Sequence, residues 1–254
     1  MSSPGAGPVL HVERPQPSMS EREQQKRAAA ERAVTYVESG MRLGLGTGST
    51  AKHVLDVLSE RLRDGTLRDI GGVPTSRATA DYARSVDIPL LDLDDVQRLD
   101  LAIDGADEVD PRLDLIKGLG GALLWEKIVE SAADRFVVVV DESKLVQRLG
   151  EKAPVPVEVV PFGWRSLLPH FTAAGARPEL RLAGGEPLLT DGGHYIVDCH
   201  FDGGIEDAVE TAAHLRARAG VVETGMFIGM ATAVVVAGAD VRVMEPDTGN
   251  NRRG

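Results

Sequence analysis

The chain has 254 residues, enough for one large or two modest domains, and its 43% apolar and 26% charged content is ordinary for a globular protein. A net charge of −11 argues against a nucleic-acid surface, and no apolar run approaches the ~20 residues that span a bilayer. The single cysteine, Cys199, excludes an intrachain disulfide and fits a reducing cytoplasm.

Residues 1–19 are rich in Pro, Gly and Ser without an apolar core, which reads as a disordered tail and not as a secretory signal. Ser20 and Glu23 form a capping-box pattern opening a helix that runs to about Glu38 and stops at Gly40. Lys26 falls in its early turns, where a solvated helix charge is the plain reading. Residues 41–45 form a first strand. It leads into Gly46-Thr47-Gly48-Ser49-Thr50 and an amphipathic helix over 51–63. Strand, glycine-rich turn, hydroxyls and helix N-terminus make a recipe for holding a phosphate, because backbone N–H groups and the helix dipole both favour an anion. The spacing matches neither a Walker loop nor the dinucleotide fingerprint, and a tight turn with a hydroxyl cap is the local alternative.

Residues 70–73 form a second strand, followed by Pro74-Thr75-Ser76 and a helix over 77–85 that Thr75 or Ser76 caps. A short strand at 88–91 precedes another within 96–103, which delivers Asp104. Asp107, Glu108 and Asp110 follow, with Glu108 and Asp110 read as solvated. Leu115-Ile116 leads into Lys117, then Gly118-Leu119-Gly120-Gly121, then a helix over 122–133 that carries Glu126 beside Lys127. Taken singly, these pieces read as turns and surface pairs. Together they set carboxylates, a lysine and a close-approach glycine loop around one strand end.

Residues 135–140 are an unbroken apolar strand closed by Asp141-Glu142-Ser143-Lys144. Strands alternating with helices imply an α/β fold: a Rossmann-like, mostly parallel sheet with helices on both faces. Ligands of such sheets gather at the carboxyl ends of strands, where 46–50, 75–76 and 104–107 all fall. From about Gly150 the texture changes. Pro154, Pro156 and Pro161 mark 155–160 as an edge strand or a linker. A helix over 164–174, short strands at 177–182, 187–190 and 195–201, and a helix over 205–219 make a smaller α+β unit inserted at 150–220. The catalytic α/β domain is thus 20–149 with 221–246. Within it, 231–236 and 241–244 return to the main sheet, and 247–254 is a second disordered tail. The six histidines show no paired ligand spacing, so neither a metal nor any other cofactor is expected.

The runs D-G-A-D-E at 104–108, K-G-x-G-G-A-L at 117–123 and E-K-I-V at 126–129 resemble, in order and spacing, the signature of the type A ribose-5-phosphate isomerase family. P-V-P-V-E-V-V-P-F at 154–162 and G-V-V-E-T-G-M-F at 220–227 look like further family segments, so the resemblance covers about 28–238. Leu119 and Trp125 depart from it, standing where the family commonly has Gly or Arg, and Arg. His194 stands where it usually has Asn.

The resemblance implies an aldose–ketose isomerase acting on D-ribose 5-phosphate and D-ribulose 5-phosphate through an enediolate, in the non-oxidative branch of the pentose phosphate pathway. It implies Glu126 as the mobile base, Lys117 as the clamp on the enediolate oxygens, and Asp104 and Asp107 as binders of sugar hydroxyls, one assisting ring opening. Thr47, Gly48, Ser49 and Thr50 would hold one end of the substrate. Gly105, Ala106, Gly118, Leu119 and Gly120 would line it, and Lys26 and Lys144 would lie near it. The partner is then a small phospho-sugar, with no nucleic acid or membrane, in a cytoplasmic homodimer or homotetramer. Two alternatives stand beside this: a phospho-sugar sensor without catalysis, and another phospho-sugar isomerase or a deaminase, whose mark would be a histidine beside an aspartate.

Overall fold

A computed structural model describes residues 19–246; the expected tails lie outside these residues, apart from Met19. The chain runs through α1 (Met19–Val34), β1 (Arg42–Leu45), α2 (Ser49–Arg63), β2 (Gly71–Pro74), α3 (Arg77–Ser85) and the single turn α4 (Leu93–Val96). Next come β3 (Leu101–Asp104), the short strands β4 (Glu108–Val109) and β5 (Leu115–Ile116), α5 (Leu123–Ser131) and β6 (Phe136–Asp141). Then follow β7 (Val155–Val159), α6 (Leu168–Ala173), β8 (Arg177–Leu180), β9 (Leu182–Ala183), β10 (Glu186–Pro187), β11 (Tyr195–His200) and α7 (Ala208–Arg216). Last are β12 (Val221–Thr224), β13 (Met226–Phe227), β14 (Ala233–Ala237) and β15 (Arg242–Met244).

The main sheet has the order β15-β14-β6-β3-β1-β2. Every pairing in it is parallel except that of β14 with the edge strand β15. Its apolar residues alternate between the two faces, as period-two side chains must. Leu43, Leu45, Leu101, Ile103, Val137 and Val139 pack under α1 and α2, where Ala29, Ala30 and Ala33 let α1 lie close to the strands. Phe136, Val138 and Val140 face the other way, under the antiparallel sheet β13-β5-β4. On that second face α5 crosses β1: a Cβ on Gly44 would come within 2.8 Å of Val129, so only glycine admits the helix there. Burying one such Leu, Ile or Val side chain contributes ~1.5–3 kcal/mol.

Of the remaining strands, β9 and β10 pair with each other as a hairpin, and the other four form a second, larger antiparallel sheet, β12-β7-β11-β8, whose core of Val155, Val157, Val197 and Cys199 packs on Leu167, Phe171 and Leu215. It takes its edge strand β12 from just beyond residue 220. Strand β7 is interior here, not the edge or linker that its prolines suggested. Pro156 is tolerated because β12 ends at Thr224: beside Pro156 the chain has left the ladder, and the Pro156 carbonyl accepts the Gly225 N–H.

Other expectations change as well, among them the strand expected at 187–190, which shrinks to β10 at Glu186–Pro187. The first helix ends at Val34, not near Glu38, because the Thr35 hydroxyl bonds back to the Arg32 carbonyl and the last turn tightens. It also begins at Met19, which puts Ser20 inside the helix and not at its cap. The strand expected at 88–91 is a single bridge between Leu90 and Gly72, since Pro89 has no N–H to extend a ladder. Glu108 is fully buried, and Asp110 is 4% exposed; neither is solvated. The carboxylate of Glu108 accepts N–H groups from Gly150, Lys152 and Ala153, and that of Asp110 closes a turn onto Arg112 and Asp114.

Candidate active site

Three loops leave the carboxyl ends of the neighbouring strands β3, β1 and β2 and are bound to one another. The Asp104 carboxylate, at the end of β3, accepts the Thr47 N–H at 2.9 Å and its neighbour's at Gly105. That tie draws the two loops so close that a Cβ on Gly46 would stand 2.2 Å from Asp104 Oδ1. The Thr47 hydroxyl meets those of Thr75 and Ser76 at 2.7 and 2.9 Å, while Ser76 caps α3 by accepting the Thr79 N–H. Thr75 and Ser76 therefore brace the loop after β1. Gly48, with φ at 109°, turns the chain into α2; no side chain caps that helix and no acidic residue sits in its first turn. An unblocked helix N-terminus is a ready anion site.

A cleft of about 150 Å³ opens beside this terminus. Thr47, Gly48, Ser49 and Thr50 form one wall, and Gly105, Ala106 and Asp107 another. Lys117, Gly118, Gly120 and Glu126 complete it, with Lys144 on its border. Lys26 lies just outside, donating to Ser49 Oγ at 3.2 Å and to Glu23 at 2.8 Å, so it is a held neighbour of the anion site and not a free helix charge. Asp104 and Leu119 do not border the cleft. Asp104 stands behind Lys117, and Leu119 directs its N–H onto Asp107 Oδ2 at 2.9 Å.

The floor of the site is a buried charge cluster. Lys117 is 2% exposed; its ammonium lies 2.9 Å from Asp104, 3.5 Å from Glu126 and 3.4 Å from Glu130, and donates to the Gly105 carbonyl at 2.6 Å. Burial works against that ammonium. The surrounding carboxylates outweigh burial and hold its pKa well above the usual lysine value. Burial pushes the Glu126 carboxyl up to about 8; Lys117 opposes the rise, and Asp104 and Asp107 add to it. Glu130 is driven well above the carboxylate range, first by burial and then by the charges of Asp104 and Glu126, against the pull of Lys117. A carboxyl poised near neutrality and touching a fixed cation can both take and return a proton.

Glu126 and Lys127 are not the surface pair their adjacency suggested. Glu126 faces the cleft, while Lys127 turns to the second sheet and donates to Glu223 and to the carbonyls of Thr224 and Met226. Sequence reasoning passed over Glu130, although its i+4 spacing from Glu126 puts both on one face of α5. It also passed over Arg181, whose guanidinium reaches the glycine loop from 62 residues away and for which no local signal exists.

A larger cavity of about 470 Å³ lies in the second unit, beside α6 and α7. Asp202, Glu206, Asp207 and Glu210 border it with no lysine or arginine, so it would repel a phosphate. No histidine borders the smaller cleft. His194 is bound to the buried Glu158 at 2.9 Å, next to Thr190. Among the described residues no three His, Cys, Asp or Glu side chains come together as a metal site would require, and no helix is long and apolar enough to cross a membrane.

The family model of ribose 5-phosphate isomerase A (phosphoriboisomerase A) matches residues 71–241. The chain is 55% identical over 216 residues to the ribose-5-phosphate isomerase A of Roseiflexus castenholzii, covering 85% of this chain and 92% of that one. It is 53% identical over 233 residues to that of Rhodopseudomonas palustris (strain TIE-1), covering 89% and 99%. A solved D-ribose-5-phosphate isomerase in complex with phospho-erythronic acid superposes with a TM-score of 0.85 at 42% identity, covering 88% of this chain and 98% of that one. The ribose 5-phosphate isomerase of Plasmodium falciparum gives 0.85 at 37%, covering 89% and 99%.

Proposed function

Because the chain belongs to the ribose 5-phosphate isomerase A family, we propose that it interconverts D-ribose 5-phosphate and D-ribulose 5-phosphate with Glu126 as the base. The observation that carries this is the contact between the buried Glu126 carboxyl and the Lys117 ammonium on the floor of a cleft whose far wall is an open helix N-terminus. The substrate phosphate binds at Ser49 and Thr50, with Lys26 behind them and Lys144 at the border. Asp107, which borders the cleft, takes a sugar hydroxyl and assists ring opening. Asp104 acts from behind by holding Lys117 and the loop after β1.

In the open-chain aldose, the Glu126 carboxylate removes the proton on C2. The electron pair of that C–H bond forms the C1–C2 double bond, and the carbonyl electrons move onto O1, where Lys117 meets the charge. Glu126 then returns the proton to C1. The O2 proton passes to O1 as the C2 carbonyl forms, so the isomerisation is proton-neutral.

The chemistry belongs to residues 20–149 with 221–246, and 150–220 buttresses it, with β12 as the seam between them. We expect a cytoplasmic homodimer or homotetramer. Exposed Phe162, Leu182 and Leu189 on the second unit support self-association, and the lone buried Cys199 is consistent with a reducing compartment. Purified protein is expected to convert ribose 5-phosphate to ribulose 5-phosphate at a rate unchanged by EDTA. Loss of turnover with EDTA would mean that a metal takes part. Saturable binding without turnover would make the chain a sensor.

A further inference from the structure

We infer that Arg181, carried by the second unit between β8 and β9, is a positioning residue that sets the active-site glycine loop for catalysis. Its Nη1 donates to the carbonyl oxygens of Gly118 and Leu119 at 2.8 and 2.9 Å. Its Nε donates to Asp198 Oδ2 at 2.8 Å, and Nη2 donates to the other oxygen of the same carboxylate on β11. The side chain is only 11% exposed. Its backbone is held as well: the Arg181 N–H donates to the Ile196 carbonyl, and the Arg181 carbonyl accepts the Leu188 N–H. A guanidinium anchored by a fork on one side is free to point one nitrogen at a fixed place on the other.

What it points at has a geometric consequence. In a trans peptide the C=O and the next N–H lie in one plane and point in opposite directions. Drawing the Gly118 carbonyl toward Arg181 turns the Leu119 N–H the other way, onto Asp107 Oδ2 at 2.9 Å. Drawing the Leu119 carbonyl to the same nitrogen turns the Gly120 N–H away from Arg181, and Gly120 borders the cleft. Two hydrogen bonds from one nitrogen, beside the Gly121 N–H that donates to the same Gly118 carbonyl at 3.0 Å, thus set the contact of Leu119 with Asp107 and the plane of the Leu119–Gly120 peptide at the edge of the cleft. Gly118, with φ at 103°, has little conformational preference of its own to hold that arrangement. The second unit thereby acts on the chemistry without touching the substrate.

The inference rests on the isomerase reading, and the test separates the two. If the unaltered protein does not isomerise ribose 5-phosphate, the isomerase reading fails. If it does, Arg181 is tested by variants. Arg181→Ala is expected to lower kcat/KM by about 10- to 100-fold, the scale on which displacing catalytic groups by about an ångström acts. Guanidinium chloride, well below denaturing concentrations, is expected to restore part of the loss, and ammonium chloride none. Arg181→Lys keeps the charge and the stem, which protects folding, yet cannot fork to Asp198 while reaching two carbonyls; it is expected to lose nearly as much as Arg181→Ala. Combining Arg181→Ala with Asp107→Asn is expected to cost less than the two losses multiplied, because both act through one loop. Near-native kcat/KM in a folded Arg181→Lys variant would overturn the proposal. So would a loss that guanidinium does not relieve and that multiplies independently with Asp107→Asn.

Discussion

The proposed chemistry turns on how Glu126 and Lys117 share one buried space. Three carboxylates, Asp104, Glu126 and Glu130, surround a single ammonium, so they cannot all ionise freely. The cation stays charged and the excess proton is stored on a carboxyl, in a place where water cannot screen the groups. A base works only when ionised, and burial raises the Glu126 pKa to about 8. The sign follows directly: kcat/KM is expected to rise with pH through about 8 and to fall about tenfold per unit below it. Lys117, held well above its usual value, keeps its charge throughout that range. A pH–rate profile that is already flat from pH 5 upward would contradict this environment for the base. Glu108 shows the opposite use of a buried acid. It lies only a few residues from the cleft but serves the fold, satisfying three backbone N–H groups of the 150–153 turn. Glu108→Ala leaves those donors unpaired at ~1–3 kcal/mol each. The melting temperature is therefore expected to fall by about 6 °C or more, at ~2–4 °C per kcal/mol for a chain of this size. A fall under about 2 °C would show that water replaces the carboxylate without loss.

At the scale of elements, the site is made where α2 begins and where α5 presents its inner face. Helix α2 has neither a capping side chain nor an acidic residue at its start, which leaves its first N–H groups for a ligand. Lys26, from α1, adds charge to the same end through Ser49. Lys26→Ala is expected to raise KM about fivefold to thirtyfold with little change in kcat, the worth of ~1–2 kcal/mol for one charged contact. Steady-state kinetics decide this, and an equal fall in kcat would instead place Lys26 in the chemical step. Much of this element-level picture was legible in the sequence. Strand, G-T-G-S-T and helix read correctly in order, as did the strand ending at Asp104 and the helix carrying Glu126. Errors fell where one residue decided against a propensity: Thr35 ending α1, Pro89 reducing a strand to a bridge, and Pro156 sitting where the ladder had already ended.

At the scale of the whole molecule, the parallel sheet supplies strand ends and the second sheet braces what they carry. Lys127, one residue after the proposed base, turns its back on the cleft and ties α5 to the end of β12 and the start of β13. Arg181 does the same for the glycine loop. Long-range ties of this kind leave no periodic or local trace, and no spacing rule could pair residue 181 with residue 118. Glu130 is an intermediate case: its place on α5 was readable, but its burial beside Lys117 depended on the crossing of α5 over β1 at Gly44.

The most direct test of the central claim is Glu126→Gln with ribose 5-phosphate in deuterium oxide, followed by proton NMR. The substitution keeps the shape of the side chain and removes the carboxylate proposed as the base. The unaltered enzyme is expected to form ribulose 5-phosphate and to place deuterium on C1 in the share of turnovers in which the proton held on Glu126 exchanges with solvent before it is returned. The variant is expected to fold normally and to lose ~10²–10⁴-fold in both conversion and deuterium incorporation. Near-native conversion by the folded variant would contradict the account and remove Glu126 from the base role.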